Sequence, residues 1–153
     1  MESGNSKEMS FMADDALFLI DSNIIVYAYE NQDSEKKQRA KKLLAKAFSK
    51  KATYAVSSQN LAEFAAAYMT KGKGDIKRLQ RAVKGIANHK NFIKINYFAQ
   101  TIGQAISLME ANSTPFWDAL IAAAMKENNI SNIYTENVKD FNIPGIKAVN
   151  PLI

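Results

Sequence analysis

The chain has 153 residues, 47% of them hydrophobic and 23% charged, a size and balance that predict one soluble globular domain with a substantial core. It contains no cysteine and a single histidine, His89. That excludes disulfides, thiol catalysis, thiolate metal sites and any mechanism needing two histidines. The net charge of +5 is unevenly spread: from Ser34 to Lys94 sixteen lysines and arginines stand against three acids, so the remainder is acidic. Such asymmetry suggests a basic surface facing a polyanion, although solvated lysine-rich helix faces produce the same count.

Residues 1–15 lack the apolar segment of a secretory signal and read as a disordered tail or as residues added for expression. No apolar run approaches the ~18 residues of a membrane span, so a cytoplasmic home without membrane contact is expected. Residues 16–153 read as one domain. The run "ALFLI" (16–20) predicts a buried strand ending at Asp21. In "SEKKQRAKKLLAKAFSK", Ala40, Leu43, Leu44, Ala47 and Phe48 keep the spacing of an amphipathic helix whose other face is nearly all lysine. "TYAVSS" (53–58) predicts a second strand, after which Ser57 or Ser58 can cap a helix through "QNLAEFAAAYM".

"KGKGD" (71–75) breaks the chain before a second basic helix marked by Ile76, Leu79, Val83 and Ile86. "NFIKIN" (91–96) predicts a third strand, and Phe98, Ile102, Ala105, Ile106 and Met109 mark the next helix. Thr114-Pro115 is a helix-start signature, so "TPFWDALIAAAM" predicts a buried helix with Asp118 near its head. "SNIYT" predicts a fourth strand and "IKAV" (146–149) a fifth. Short apolar strands alternating with helices imply a three-layer α/β/α sandwich around a mostly parallel sheet of four to five strands.

The acids fall where such sheets form sites, beyond the carboxyl ends of the strands. Asp21 follows the first strand, Glu63 lies in the helix after the second, Asp118 heads its own helix, and Glu136 follows the fourth strand. Each has an ordinary structural role available alone: a cap, a helix-face residue, a partner of the helix dipole or a loop residue. Four at equivalent positions are better explained together. Converging carboxylates raise one another's pKa, and a divalent cation removes the conflict. Oxygen-only ligation suits Mg²⁺ or Mn²⁺ better than zinc. Any hydrolytic nucleophile would then be water activated by the ion.

At these residues the chain resembles the PIN-domain family, especially its VapC-type toxin ribonucleases. "FLIDSNIIVYA" is similar to the opening motif, with Asp21 as first acid and Asn23 two residues on; "SSQNLAEFAAA" is similar to the second, with Glu63. "PFWDALIAAAM" resembles the third, with Asp118, and "NIYTENVKDF" the fourth, in which Thr135 precedes an acidic position. The four run in family order from about Phe18 to Phe141. The resemblance implies a PIN-like sandwich, a metal-dependent endoribonuclease, an antitoxin partner and a homodimer. Where the family often carries aspartate two residues after the Ser/Thr, this chain has Asn137. Glu136 is expected to serve instead, with Asp140 and Asn137 as weaker candidates and one ion favoured over two.

The expected mechanism is phosphodiester hydrolysis in RNA. Asp21, Asp118 and Glu136 hold Mg²⁺ or Mn²⁺, and Glu63 acts directly or through water, orienting or deprotonating the attacking water. Asn23 and Thr135 orient the carboxylates. RNA is expected along the basic helices, at Lys36, Lys37, Lys41 and Lys42 on one and Lys77, Arg78, Arg81 and Lys84 on the other. Tyr27 and Trp117 lie near enough to stack on bases, though packing is the more usual role of large aromatics. Competing readings are a catalytically weak PIN-like module binding RNA or protein, an RNA-processing nuclease that is not a toxin, and another Mg²⁺ enzyme such as a phosphatase. Asp-Ser-Asn after the first strand lacks the Asp-x-Asp of a common phosphatase class.

Overall fold

The computed structural model describes residues 16–71 and 74–153. The expected tail over 1–15 lies outside the described residues, as do two positions of the 71–75 break. Five strands form one sheet in the order β3-β2-β1-β4-β5, every pair parallel. They are β1 (Phe18–Ile20), β2 (Tyr54–Ser57), β3 (Phe92–Ile95), β4 (Asn132–Tyr134) and β5 (Lys147–Val149). All five stand where the apolar runs predict them.

Parallel strands need crossovers, and helices supply them: α1 (Ser22–Tyr29), α2 (Glu35–Phe48), α3 (Ser58–Lys71), α4 (Ile76–Ala87), α5 (Ala99–Asn112) and α6 (Phe116–Glu127). Strand alternation sorts them into two layers. Ile20, Tyr54, Val56 and Phe92 point to one face, where Ile24, Ile25, Ala40, Leu44, Phe64, Leu79 and Ile86 from α1–α4 bury them. Leu19, Ala55, Ile95 and Ile133 point to the other, against Ile121, Ala124 and Met125 of α6. Ala105 of α5 packs on Ala119, Leu120 and Ala123 of α6, and these small side chains let the two helices approach closely.

The order 3-2-1-4-5 places a topological switch point between β1 and β4, where such folds open a crevice. Two elements beside it escape the sequence reading. Helix α1 is short, and its Ile24, Ile25 and Val26 are β-branched residues that favour strands as a local preference. It forms because Asp21 caps it and because Ile24, Ile25 and Ala28 are buried. After β4 a 3₁₀ turn, Val138–Phe141, is pinned by Phe141, which is buried with Ile121 and Ile133. Helix α6 starts one residue later than the Thr114 signature suggests: Pro115 occupies the cap position, with no side-chain capping bond.

Candidate active site

Asp21 leaves the end of β1 at the switch point with its N–H donating to the Tyr134 carbonyl of β4 (3.0 Å). Its side chain is almost wholly buried, and a buried carboxylate must be hydrogen-bonded. Oδ1 accepts the Ser22 N–H at 2.8 Å, and Oδ2 accepts the Thr135 hydroxyl at 2.7 Å. Thr135 is itself fully buried. Its oxygen also accepts from the Asn137 N–H (3.0 Å) and from Asn23 Nδ2 (3.4 Å). One hydroxyl therefore ties the end of β4, the start of α1 and the first acid together.

Asn60 adds a contact that the sequence reading misses. It is fully buried, and its Nδ2 donates to Asp21 Oδ1 at 3.4 Å. Its Oδ1 accepts from the Ser57 N–H and hydroxyl, while its own N–H donates to Ser57 Oγ (2.9 Å). This is a reciprocal cap at the start of α3, and it confirms Ser57 as the capping serine. The Ser57-x-x-Asn60 spacing at a strand-to-helix junction is the signal that could have found it. The same turn projects Glu63, whose Oε1 accepts from Gln59 Nε2 at 3.4 Å; Gln59 also donates to the Trp117 carbonyl, linking α3 to α6 (2.9 Å).

The acids feel one another. Burial pushes Asp21 up from the usual carboxylate range despite the Thr135 and Ser22 hydrogen bonds, and Asp140 adds to the rise. Glu63 is raised by burial and then by Asp21, partly offset by Gln59. Asp118 is pushed up to about 7, first by burial and then by the charges of Asp21, Asp140 and Glu63. Four carboxylates from four separate segments thus share one field at the switch point.

Asp140 belongs to that field because Phe141 anchors the 3₁₀ turn beside α6. Glu136 is held differently: Oε1 accepts the Tyr27 hydroxyl at 3.0 Å and Oε2 meets Lys36 Nζ at 2.7 Å. Asn23 Oδ1 receives the Glu136 N–H (3.3 Å), and the Asn137 side chain is exposed. Trp117 is not a core residue but 59% exposed, stacked edge-on against Phe116. With Gln59, Glu63, Asn96 and Tyr97 it lines an open groove of about 730 Å³. Of the expected RNA-contacting residues, Lys36 reaches Glu136 and Arg78 donates to Asn31 between α1 and α2 (2.6 Å); Lys41, Lys42, Lys77, Arg81 and Lys84 are exposed, and Lys37 is partly so.

The donor set fits a hard divalent cation. It is oxygen-only, and burial together with neighbouring carboxylate charge raises Asp21, Glu63 and Asp118, a conflict that a cation relieves. Among the described residues no group of three acidic or histidine side chains is already drawn into a metal-holding arrangement.

The sequence matches the family model described as PIN domain over residues 18–142, which takes in all four acid-bearing segments. The chain belongs to the PIN-domain family. No curated relative matches this PIN domain. Its fold is shared with VapC20 of Mycobacterium tuberculosis, described as a sarcin-ricin loop cleaving toxin: TM-score 0.65, 18% identity, covering 85% of this chain and 98% of that one. It also resembles VapBC2 of Rickettsia felis bound to a promoter DNA fragment, with TM-score 0.62, 24% identity and coverage of 88% and 98%. A toxin–antitoxin complex from Klebsiella pneumoniae gives TM-score 0.62 at 22% identity, covering 88% of this chain and 97% of that one. Among the described residues no helix of the PIN domain is long and apolar enough to cross a membrane.

Proposed function

We propose that this chain is a metal-dependent endoribonuclease and the toxin of a toxin–antitoxin pair, acting in the cytoplasm. The observation that carries the reading is the gathering of Asp21, Glu63, Asp118 and Asp140, where burial first and the charges of Asp21, Asp140 and Glu63 second push Asp118 up to about 7. Asp21, Asp118 and Asp140 would hold one Mg²⁺ or Mn²⁺, with Glu63 joining directly or through water. Asp140 is preferred to Glu136 as the fourth acid because it acts on both Asp21 and Asp118, whereas Tyr27 and Lys36 engage the Glu136 oxygens. When bound, such an ion supplies the positive charge that offsets the negative charge developing on the scissile phosphate.

The rest of the work falls to the chain's own groups. Thr135 and Asn60 fix the Asp21 carboxylate, so it need not reorganise during reaction. Glu63, raised by burial and by Asp21, is suited to orient water and take its proton at Oε2. The basic faces of α2 and α4 supply salt-sensitive attraction for RNA without sequence preference. Trp117, exposed at the groove beside Glu63, offers a ring on which a base can stack.

The toxin assignment is supported by the fold shared with structures described as toxins and toxin–antitoxin complexes. An antitoxin partner comes with it. A homodimer is supported by Phe98, Ile102 and Ile106, which leave an exposed apolar stripe at four-residue spacing along α5. Mapping new RNA ends in total cellular RNA after expression of wild type, beside Asp118→Asn, tests the reading. It predicts discrete ends dependent on Asp118. Identical end profiles for the two proteins would overturn it.

A further inference from the structure

Lys36 stands in the first turn of α2, just after the Ser34 cap, where the helix dipole disfavours a cation. A residue one hundred positions away compensates: Lys36 Nζ lies 2.7 Å from Glu136 Oε2. Tyr27 completes the contact, donating its hydroxyl to Glu136 Oε1 at 3.0 Å, with the ammonium 5.4 Å from its ring centre. Among the described residues, Lys36 is the cation that ion-pairs with a residue adjoining the acids. Glu136 directly follows Thr135, which bonds Asp21, and its N–H is held by Asn23. The ammonium is therefore fixed at the rim of the acidic field by a chain of hydrogen bonds leading to its centre.

The pair is also loosely committed. The Lys36 and Glu136 side chains are 48% and 27% exposed, so solvent screens them and a competing anion can displace the carboxylate. An acid-lined site repels the polyanion it must admit, and a cation at its rim offsets that repulsion. We propose that Lys36 is the phosphate-binding residue at the entrance of the site. Glu136 and Tyr27 hold it in place in the free protein, and an RNA phosphate replaces Glu136 when substrate binds. This rests on the ribonuclease reading above and gives Glu136 the role of counter-ion.

The test uses chains carrying Asp118→Asn, so that RNA is bound but not cut, and measures anisotropy of a fluorescently labelled single-stranded RNA oligonucleotide across a salt series. Lys36→Gln is expected to weaken binding several-fold at low salt and to reduce the slope of log affinity against log salt by about 0.7, the loss of one phosphate contact on a single strand. Lys36→Arg restores both. Glu136→Gln tightens binding, and the tightening disappears in the Lys36→Gln/Glu136→Gln pair. A merely structural ion pair would move Lys36→Gln and Glu136→Gln in the same direction. In the cleaving protein, Lys36→Gln raises KM more than it lowers kcat. RNA binding by the parent with an unchanged slope in Lys36→Gln would overturn the proposal and leave the ribonuclease reading standing. No RNA binding by the parent would overturn both.

Discussion

The Thr135 hydroxyl donates to Asp21 Oδ2 at 2.7 Å across the junction of β1 and β4, and both side chains are buried. This contact joins fold to site: the same oxygen accepts from Asn137 and Asn23, so one buried atom sets the register of three segments around the first acid. Thr135→Ala should leave Asp21 short of a donor and cost about 1–3 kcal/mol. Thr135→Ser should retain most of that stability. Paired urea titrations of the two variants check it, and equal losses would show that the methyl rather than the hydroxyl matters.

Asp118 gives a signed pH dependence. Its folded pKa, about 7, lies above the unfolded value near 4. The folded state therefore holds a proton that the unfolded state has released, and stability falls as pH rises from about 4 to about 7. Asp21 and Glu63, both raised, act in the same direction. In chelator, thermal melting should drop across that window, and Asp118→Asn should flatten the drop. At neutral pH that variant should gain on the order of 1 kcal/mol, after discounting for a partly exposed residue. A melting temperature that rises with pH over this range would contradict the shared field.

Divalent cation should reverse the same penalty. At about 100 times its dissociation constant a site-specific ion stabilises the folded chain by about 2.7 kcal/mol. Differential scanning calorimetry with Mg²⁺ or Mn²⁺ should show a raised melting temperature in wild type. The shift should be much smaller in Asp118→Asn and Asp140→Asn. A shift in Asp140→Asn equal to that of wild type would remove Asp140 from the ligand set, and an equal shift in all three proteins would remove Asp118 with it.

Phe141 holds the turn that carries Asp140. It is 2% exposed among Ile121, Ile133 and their neighbours. Phe141→Ala should cost about 3–5 kcal/mol, and Phe141→Leu considerably less. At a temperature where both are folded, Phe141→Leu should still weaken Mg²⁺ affinity, because the turn loses its anchor. Calorimetric Mg²⁺ titration checks this, and an affinity equal to wild type would show that the turn is fixed by other contacts.

The α5 stripe predicts association. Ile106 is 48% exposed, in a stripe with Ile102 and Phe98, and the proposed homodimer would cover it. Ile106→Asp should shift the chain toward monomer in light scattering, with little change in melting temperature, since surface changes away from the core usually cost under about 0.5 kcal/mol. A wild type already monomeric at high concentration would remove the homodimer.

Much of this was legible in the sequence because the signals are local. The strands are short apolar runs bounded by polar turns, and the acids Asp21, Glu63 and Asp118 stand at fixed offsets from them. Helix α1 was hidden because Ile24, Ile25 and Val26 favour a strand locally, and only the Asp21 cap and burial decide otherwise. Spacing alone favours Glu136, the residue directly after Thr135. The charge of Asp140, four residues further on, acts on Asp21 and Asp118 and supports the proposal of Asp140 in that place; a 3₁₀ turn with no periodic signature presents it. The Lys36–Glu136 pair joins positions one hundred residues apart. No local pattern encodes such a contact; it exists only once α2 is docked against the end of β4.

Asp21, Glu63, Asp118 and Asp140 are proposed to form one metal-dependent site that cuts RNA. The most direct measurement of this is the cleavage rate of a labelled single-stranded RNA by purified wild type and Asp118→Asn, across a Mg²⁺ and Mn²⁺ titration. Wild type should show no cleavage in chelator and saturable cleavage with added ion, and Asp118→Asn a loss of at least about 10²-fold, the scale of removing one group that stabilises transition-state charge. Undiminished, ion-dependent cleavage by Asp118→Asn would contradict the proposal.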